Sequence, residues 1–287
     1  MDPRADPSRR RRLTRRRVVT RPRRDRELEV GARAHFDDAA YYTTTYAERI
    51  ADVAFYVALA TELVPDGPVL EYGVGNGRIA LPLARHGVSV VGIDHSRPML
   101  ADLAERLKNE PAEVRARVRT RAGDMRKVAL GRRFPLIIAP FNVCLHLYTR
   151  SDVEAFLSRV KAHLAPGGTF VADISVPIAS DLARDPQQAF RTPRFRHPSA
   201  GVVRYTERFD YEPTRQILFV SMEFEPLSGE PPFATPLAHR QFFPQEWEAL
   251  LHYNGFEIVR VSGDFEGGPL GRQSDVMVTY ARKRRKK

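Results

Sequence analysis

Apolar residues along this chain follow two periodicities, and the alternation between them predicts the architecture. Short strand-like runs lie at Val69 to Tyr72, Val88 to Ile93, Ala116 to Ala122, Phe134 to Phe141 and Thr169 to Ser175. Between them, residues 77–86, 97–108 and 151–164 read as helices. An earlier helix over 47–63 places Ile50, Val53, Ala54, Val57 and Leu63 at helical spacing, and Pro65-Asp66-Gly67-Pro68 breaks it. Strands alternating with helices predict a parallel sheet covered on both faces. After the fifth strand the pattern weakens into three partial alternations, 202–211, 216–224 and 238–243, with Glu212-Pro213-Thr214-Arg215 as a hairpin turn between the first two. A helix over 245–254, stopped by Gly255, and strands over 256–261 and 273–282 close the chain.

Charge changes the picture at the ends only. The formal net charge is +11 over 287 residues, but residues 1–26 carry twelve arginines against three aspartates and residues 282–287 are all basic. The body between them is mildly acidic. Such tails are expected to be disordered. They can bind nucleic acid through counterion release, although a solvated extension is the simpler expectation. No apolar run approaches the length of a membrane span, and the arginine-rich start lacks the apolar stretch of a secretory signal. The single cysteine, Cys144, rules out a disulfide framework and a multi-thiolate metal site, and a cytoplasmic location is expected. Cys144 follows a buried strand and reads as packing.

Candidate chemistry concentrates where the first strand ends. Glu71-Tyr72-Gly73-Val74-Gly75-Asn76-Gly77 places three glycines at alternate positions behind a carboxylate, and the second strand ends in Asp94. Glycines there permit a tight turn and close approach of a ligand, and an acidic residue ending the next strand suits ribose hydroxyls. A dinucleotide site places its third glycine three residues after its second, which this loop does not. A carboxylate at Glu71 would repel a diphosphate and attract a cation.

The Glu-x-Gly-x-Gly-x-Gly spacing, Asp94, Gly123-Asp124-Met125, Pro140-Phe141-Asn142 and Leu164 to Val171 occur in the order of class I S-adenosylmethionine-dependent methyltransferases, which this chain resembles over roughly residues 40–282. The resemblance implies an α/β, Rossmann-like fold: a seven-stranded, mostly parallel sheet with helices on both faces, finished by an antiparallel pair. In Leu164 to Val171 it implies a helix stop, glycine supplying the cap, before strand five. It implies S-adenosylmethionine as cofactor, held by Glu71, Gly73, Gly75, Gly77, Asp94, Asp124, Met125 and Asn142, with Asp124 against the adenine amino group and Met125 against the ring. Asp94 can alternatively serve as a helix N-terminal carboxylate, with Ser96 as the cap. The antiparallel β insertion resembles small-molecule methyltransferases, notably those acting on amino groups of nucleotide-linked sugars, where it helps to cover the substrate. The expected division is a basic tail over 1–33, a cofactor-binding core over 34–175, the insertion over 176–243, the rest of the core over 244–281 and a tail over 282–287.

For the acceptor side the candidates are His146, a proton-transfer group at the mouth of strand four, and Tyr42, with Tyr41 and Tyr46, as aromatic faces for a sulfonium. His239-Arg240 either faces the substrate or forms a solvated edge. No metal is required, because methyl transfer from a sulfonium is an in-line displacement that depends largely on positioning. The acceptor is expected to be a small molecule methylated at nitrogen or oxygen. Pro140-Phe141-Asn142-Val143 is not the Asn/Asp-Pro-Pro-Tyr/Phe signature of base amino methylation, and no proline precedes Cys144 as it does the cysteine of cytosine methylation. Three alternatives stand beside this reading: an RNA or protein methyltransferase docking through its tails, a non-catalytic S-adenosylmethionine-binding scaffold, and a nicotinamide dehydrogenase, against which the glycine spacing speaks.

Overall fold

The computed structural model describes residues 23–65 and 67–284. The disorder expected of the extreme tails and the turn at Asp66 fall partly or wholly outside them. Three short helices come first, α1 (Arg23–Gly31), α2 (Ala34–Asp37) and α3 (Ala39–Thr45), followed by α4 (Ala51–Leu63). The alternating part comprises β1 (Pro68–Tyr72), α5 (Ala80–Arg85), β2 (Ser89–Asp94), α6 (Arg97–Lys108), α7 (Ala112–Arg117), β3 (Val118–Ala122) and β4 (Phe134–Ala139). A 3-10 turn (Val143–His146) leads to α8 (Arg150–His163) and β5 (Leu164–Ser175). Then come α9 (Ala179–Leu182), β6 (Phe190–Arg191), β7 (Phe195–His197), β8 (Gly201–Glu212), β9 (Ile217–Pro226) and β10 (Phe233–Arg240). Helix α10 (Pro244–Tyr253) and strands β11 (Phe256–Ser262) and β12 (Val276–Lys283) finish the chain.

The central sheet has seven strands in the order β11-β12-β5-β4-β1-β2-β3. Pairs from β5 to β3 are parallel, while β12 runs antiparallel to both β5 and β11. Alternation along β1 explains why both faces are covered. Leu70 and Tyr72 enter the apolar cluster under α8 and α10, with Phe156 and Trp247, whereas Val69 enters the opposite cluster with Tyr56 and Leu83. Leu136, Ile137 and Ile138 of β4 are buried almost completely, each such side chain contributing about 1.5–3 kcal/mol by leaving water. The parallel strands end at one edge, where β1, β2 and β4 deliver their loops.

The remaining strands form a separate antiparallel sheet, β10-β9-β8-β6, with β7 also paired to β8. Its third long strand lies at 233–240, not 238–243. Pro236 makes that stretch read as a poor strand, yet β10 is the terminal strand of its sheet, where a missing N–H is tolerated. Three other boundaries differ from expectation. Residues 116–117 belong to α7, a helix whose Glu113, Arg115 and Arg117 mask any apolar stripe. Helix α8 ends with Leu164 already extended, so Gly167 (φ +73°) turns the chain three residues later and does not cap the helix. Pro166 explains this, since it disfavours helical backbone at Ala165. Finally, residues 23–31, read as tail, form α1.

Helix α1 lies against β10 through Gly31. A Cβ built there would meet Ala238 Cβ at 3.0 Å and the Ala238 nitrogen at 3.1 Å, tighter than ordinary contact. Gly31→Val is therefore expected to lower stability by about 1–3 kcal/mol, the usual cost of overpacking, read as a fall in chemical-denaturation midpoint at unchanged slope. An unchanged midpoint would show that α1 yields freely.

Candidate active site

The loop after β1 is folded back on the end of β2 by its own backbone. The N–H groups of Gly73 and Val74 both donate to the Ile93 carbonyl, at 2.7 and 3.0 Å. Gly73, Gly75 and Gly77 have φ of +70°, +52° and +80°, the left-handed region in which a side chain is strained. Asp94 clamps this turn, its Oδ2 accepting from Gly75 N–H and its Oδ1 from Ser96 N–H, both at 2.8 Å. Ser96, not Asp94, caps α6 by accepting from Met99 N–H. Burial raises the pKa of Asp94, while the Ser96 and Gly75 N–H groups oppose that rise.

A pocket opens over this turn, lined on one side by Glu71, Gly73, Gly75, Asn76, Asp94, Met99, Gly123 and Met125. Phe36, Tyr42, Arg78, Phe141, Val143 and His146 line the other side. Its empty space, open mouth included, is about 740 Å³. Glu71 lies at its floor, 1% exposed, and its Oε2 has no hydrogen-bond partner. Burial pushes its pKa well up, with Arg78 opposing. Asn76 Oδ1 is likewise buried without a partner. A buried carboxyl oxygen without a partner is costly unless a cation or donor meets it, which fits an incoming ammonium group.

Of the residues singled out in the sequence, Glu71, Gly73, Gly75, Asp94, Met125, Tyr42 and His146 line this pocket, and Gly77, Asp124 and Asn142 do not. Gly77 serves the turn from behind, where a Cβ would stand 2.4 Å from Leu103 Cδ1. The carboxylate of Asp124 is taken by Arg126, at 2.8 Å to Nη2, which lowers its pKa. Its chain neighbours Gly123 and Met125 face the pocket instead. The side chain of Asn142 turns towards β5, with Oδ1 accepting from Ser175 N–H at 2.7 Å.

Phe36, Arg78 and Phe141 are pocket residues that the sequence reading passed over. Arg78 donates to both oxygens of buried Asp52, at 2.8 and 2.6 Å, and stacks 4.5 Å over Phe141. Phe141 and Asn142 have φ of +55° and +65°, a strained pair for non-glycine residues. Asp173 holds them: it accepts from Phe141 N–H with both oxygens at 2.9 Å and is itself anchored by Tyr56 O–H at 2.6 Å. That turn aims the 3-10 segment, and with it His146, into the pocket.

The roof comes from the N-terminal helices, and the second sheet backs it through His239. Asp38 caps α3, and Asn76 Nδ2 donates to Thr43 Oγ1 at 2.7 Å, tying α3 to the glycine loop. Tyr42 and Tyr46 form edge contacts with Phe141, and Phe36 with His146. Tyr41 points away, into the second sheet beside Val203, Met222 and Phe224. His239 and Arg240 part company: His239 packs edge-on against His146, with centroids 5.0 Å apart, whereas Arg240 pairs with Glu246. Cys144 is fully buried. Among the described residues there is no cluster of histidines, cysteines and carboxylates able to hold a metal, and no helix long and apolar enough to cross a membrane.

Comparison with known proteins agrees with this geometry. Residues 69–168 match the family model described as a methyltransferase domain. The chain is 25% identical over 218 residues to the cypemycin N-terminal methyltransferase of a Streptomyces species, covering 73% of this chain and 80% of that protein. It is 32% identical over 105 residues to the dTDP-3-amino-3,6-dideoxy-alpha-D-glucopyranose N,N-dimethyltransferase of Streptomyces fradiae, covering 37% of this chain and 38% of that protein. Among solved structures, the CcbJ methyltransferase of Streptomyces caelestis superposes with a TM-score of 0.73 at 27% identity, over 81% of this chain and 95% of that one.

Proposed function

We propose that this chain, a class I S-adenosylmethionine-dependent methyltransferase, methylates an amine nitrogen of a small molecule held between the central sheet and the antiparallel cover. The observation that carries this reading is the roof. Phe36 and Tyr42 cover part of the pocket, and His239 of β10 touches His146, so the reacting centre sits in a partly roofed aromatic chamber. Such a chamber suits a small molecule or a chain end better than a duplex or a folded protein surface. By name, one relative above is an N-terminal methyltransferase of cypemycin and the other an N,N-dimethyltransferase of an amino sugar, which favours nitrogen over oxygen. A cytoplasmic setting accords with a lone, buried thiol.

Bound S-adenosylmethionine supplies a methyl carbon on a sulfonium, open to in-line attack. We assign Glu71 to its ammonium group, Asp94 to its ribose, and Gly123 and Met125 to its adenine. Tyr42, Phe141 and Phe36 supply aromatic faces, which attract cations in a dry site. His146 accepts the proton that the acceptor nitrogen sheds. Burial lowers the pKa of His146 well below its ordinary value, so at pH 7 the ring is neutral and keeps a lone pair free to accept a proton. The chain thus orients, desolvates and deprotonates, with no covalent intermediate.

The test is a methyl-transfer screen on the full chain with S-adenosylmethionine, offering nucleotide-linked amino sugars, short peptides with free amino termini, bulk RNA and folded proteins. Mass gain on an amine of the first two classes is expected. Transfer to RNA or folded protein alone would replace this reading with the tail-docking one. Binding without transfer to any class would favour a scaffold.

A further inference from the structure

The mechanism leaves Tyr148 unused, although it lies two residues beyond His146 and is bonded to it. The ring Nδ1 of His146 is 3.0 Å from the Tyr148 oxygen, and Tyr148 O–H lies 2.8 Å from the carbonyl oxygen of Ala238 in β10. A phenol has one proton, and a carbonyl can only accept. Burial, with Asp152 adding to it, raises the pKa of Tyr148, so that proton is present at neutral pH. It goes to Ala238, and the phenol oxygen is left to accept. His146 must then carry its proton on Nδ1 and present Nε2 as the bare nitrogen. Nε2 forms no hydrogen bond with any described residue, and the ring lines the pocket.

We infer that Tyr148 is a positioning residue that fixes the Nδ1–H tautomer of His146, leaving Nε2 as the proton acceptor, and that it does so through a carbonyl of the cover sheet. The inference rests on the reading of His146 as the base. The groups facing His146 leave no competing assignment. They are Phe36 and His35 from α2, His95 after β2, and His239 from β10, with no carboxylate among them. Burial also pushes the pKa values of His35 and His239 down, to about 4 and about 3, so both are neutral at pH 7. The relay has a structural consequence. Ala238 is also the residue against which Gly31 of α1 is packed. The N-terminal helix, the cover strand, Tyr148 and His146 therefore form one chain of contacts, and the base is in its working tautomer only when the cover is seated.

Long-range proton–nitrogen correlation spectra of the histidine-labelled full chain at pH 7 test this, with His146→Gln identifying the His146 signals. In the unsubstituted chain, the His146 Nε2 is expected in the unprotonated range and Nδ1 in the protonated range. In Tyr148→Phe, which keeps the ring and loses only the hydroxyl, the two are expected to average or reverse, while affinity for S-adenosylmethionine stays within about threefold. A protonated Nε2 in the unsubstituted chain overturns the inference, and that spectrum decides the point even if Tyr148→Phe fails to fold. An unchanged tautomer in a folded Tyr148→Phe overturns it equally. The spectra need no acceptor, so they stand apart from the role of His146 as base, which the methyl-transfer rate of His146→Gln decides.

Discussion

Gly73→Val is expected to abolish binding of S-adenosylmethionine, lowering affinity by at least about 100-fold, roughly 2.7 kcal/mol or more. Two costs fall on one residue. With φ at +70°, a β-branched side chain is forced into left-handed backbone, at roughly 1–2 kcal/mol. Its Cβ would stand 2.2 Å from Val143 Cγ2, a separation that no real contact allows. Relief requires either the glycine turn or the 3-10 segment to move, and both line the pocket. The turn carries the N–H that Asp94 accepts, and the segment carries His146, so either movement disorders the site. Calorimetric titration beside a thermal melt checks this. A folded variant that binds with native affinity would show that the pocket's floor is elsewhere.

The second large effect is on chemistry alone. His146→Gln is expected to keep S-adenosylmethionine affinity within about threefold and to slow methyl transfer by about 100-fold or more, the usual contribution of a positioned base. Single-turnover rates on an acceptor from the screen measure it. The pH dependence carries the same assignment. Burial disfavours the charged imidazolium, so the neutral, proton-accepting form persists to lower pH than for a free histidine. The acid limb of the native profile should then fall below the ordinary histidine value of 6.5, and it should vanish in the variant. A native rate in His146→Gln would leave the chamber to act by orientation only.

How much of this was legible beforehand follows from which forces are local. The glycine turn, Asp94 and the strand ends are readable because each is a short-range requirement: positive φ at Gly73, or an acidic residue closing β2. The parallel sheet is readable because β4 is apolar throughout and β1 is apolar up to Glu71, as strands buried on both faces tend to be. What stayed hidden depends on long-range geometry. Arg78 reads as an ordinary helix arginine until Asp52, on a helix before β1, is placed beside it. Phe36 becomes a pocket residue only when α2 is folded under β10. In the left-handed pair Phe141-Asn142 only the asparagine is a residue type that favours such backbone; Phe141 gives no signal, since Asp173, from the next strand, makes its conformation possible. That turn also diverts the Asn142 side chain to Ser175, just as Arg126 diverts Asp124. Position at a strand end told correctly where the chain goes, but it did not tell which way the side chains point.

The central claim is that the pocket over the glycine turn is the site of the methyl donor. Calorimetric titration of the full chain with S-adenosylmethionine and S-adenosylhomocysteine, beside Asp94→Ala, tests it most directly. Asp94 is chosen because it lines the pocket and also accepts from Gly75 and Ser96, so a melting curve must accompany the titration. One-to-one binding at roughly micromolar affinity is expected in the native chain, weakened by at least about 100-fold, some 2.7 kcal/mol, in a variant that still unfolds cooperatively. No binding to the folded native chain, or equal binding to both, would contradict the assignment of this pocket.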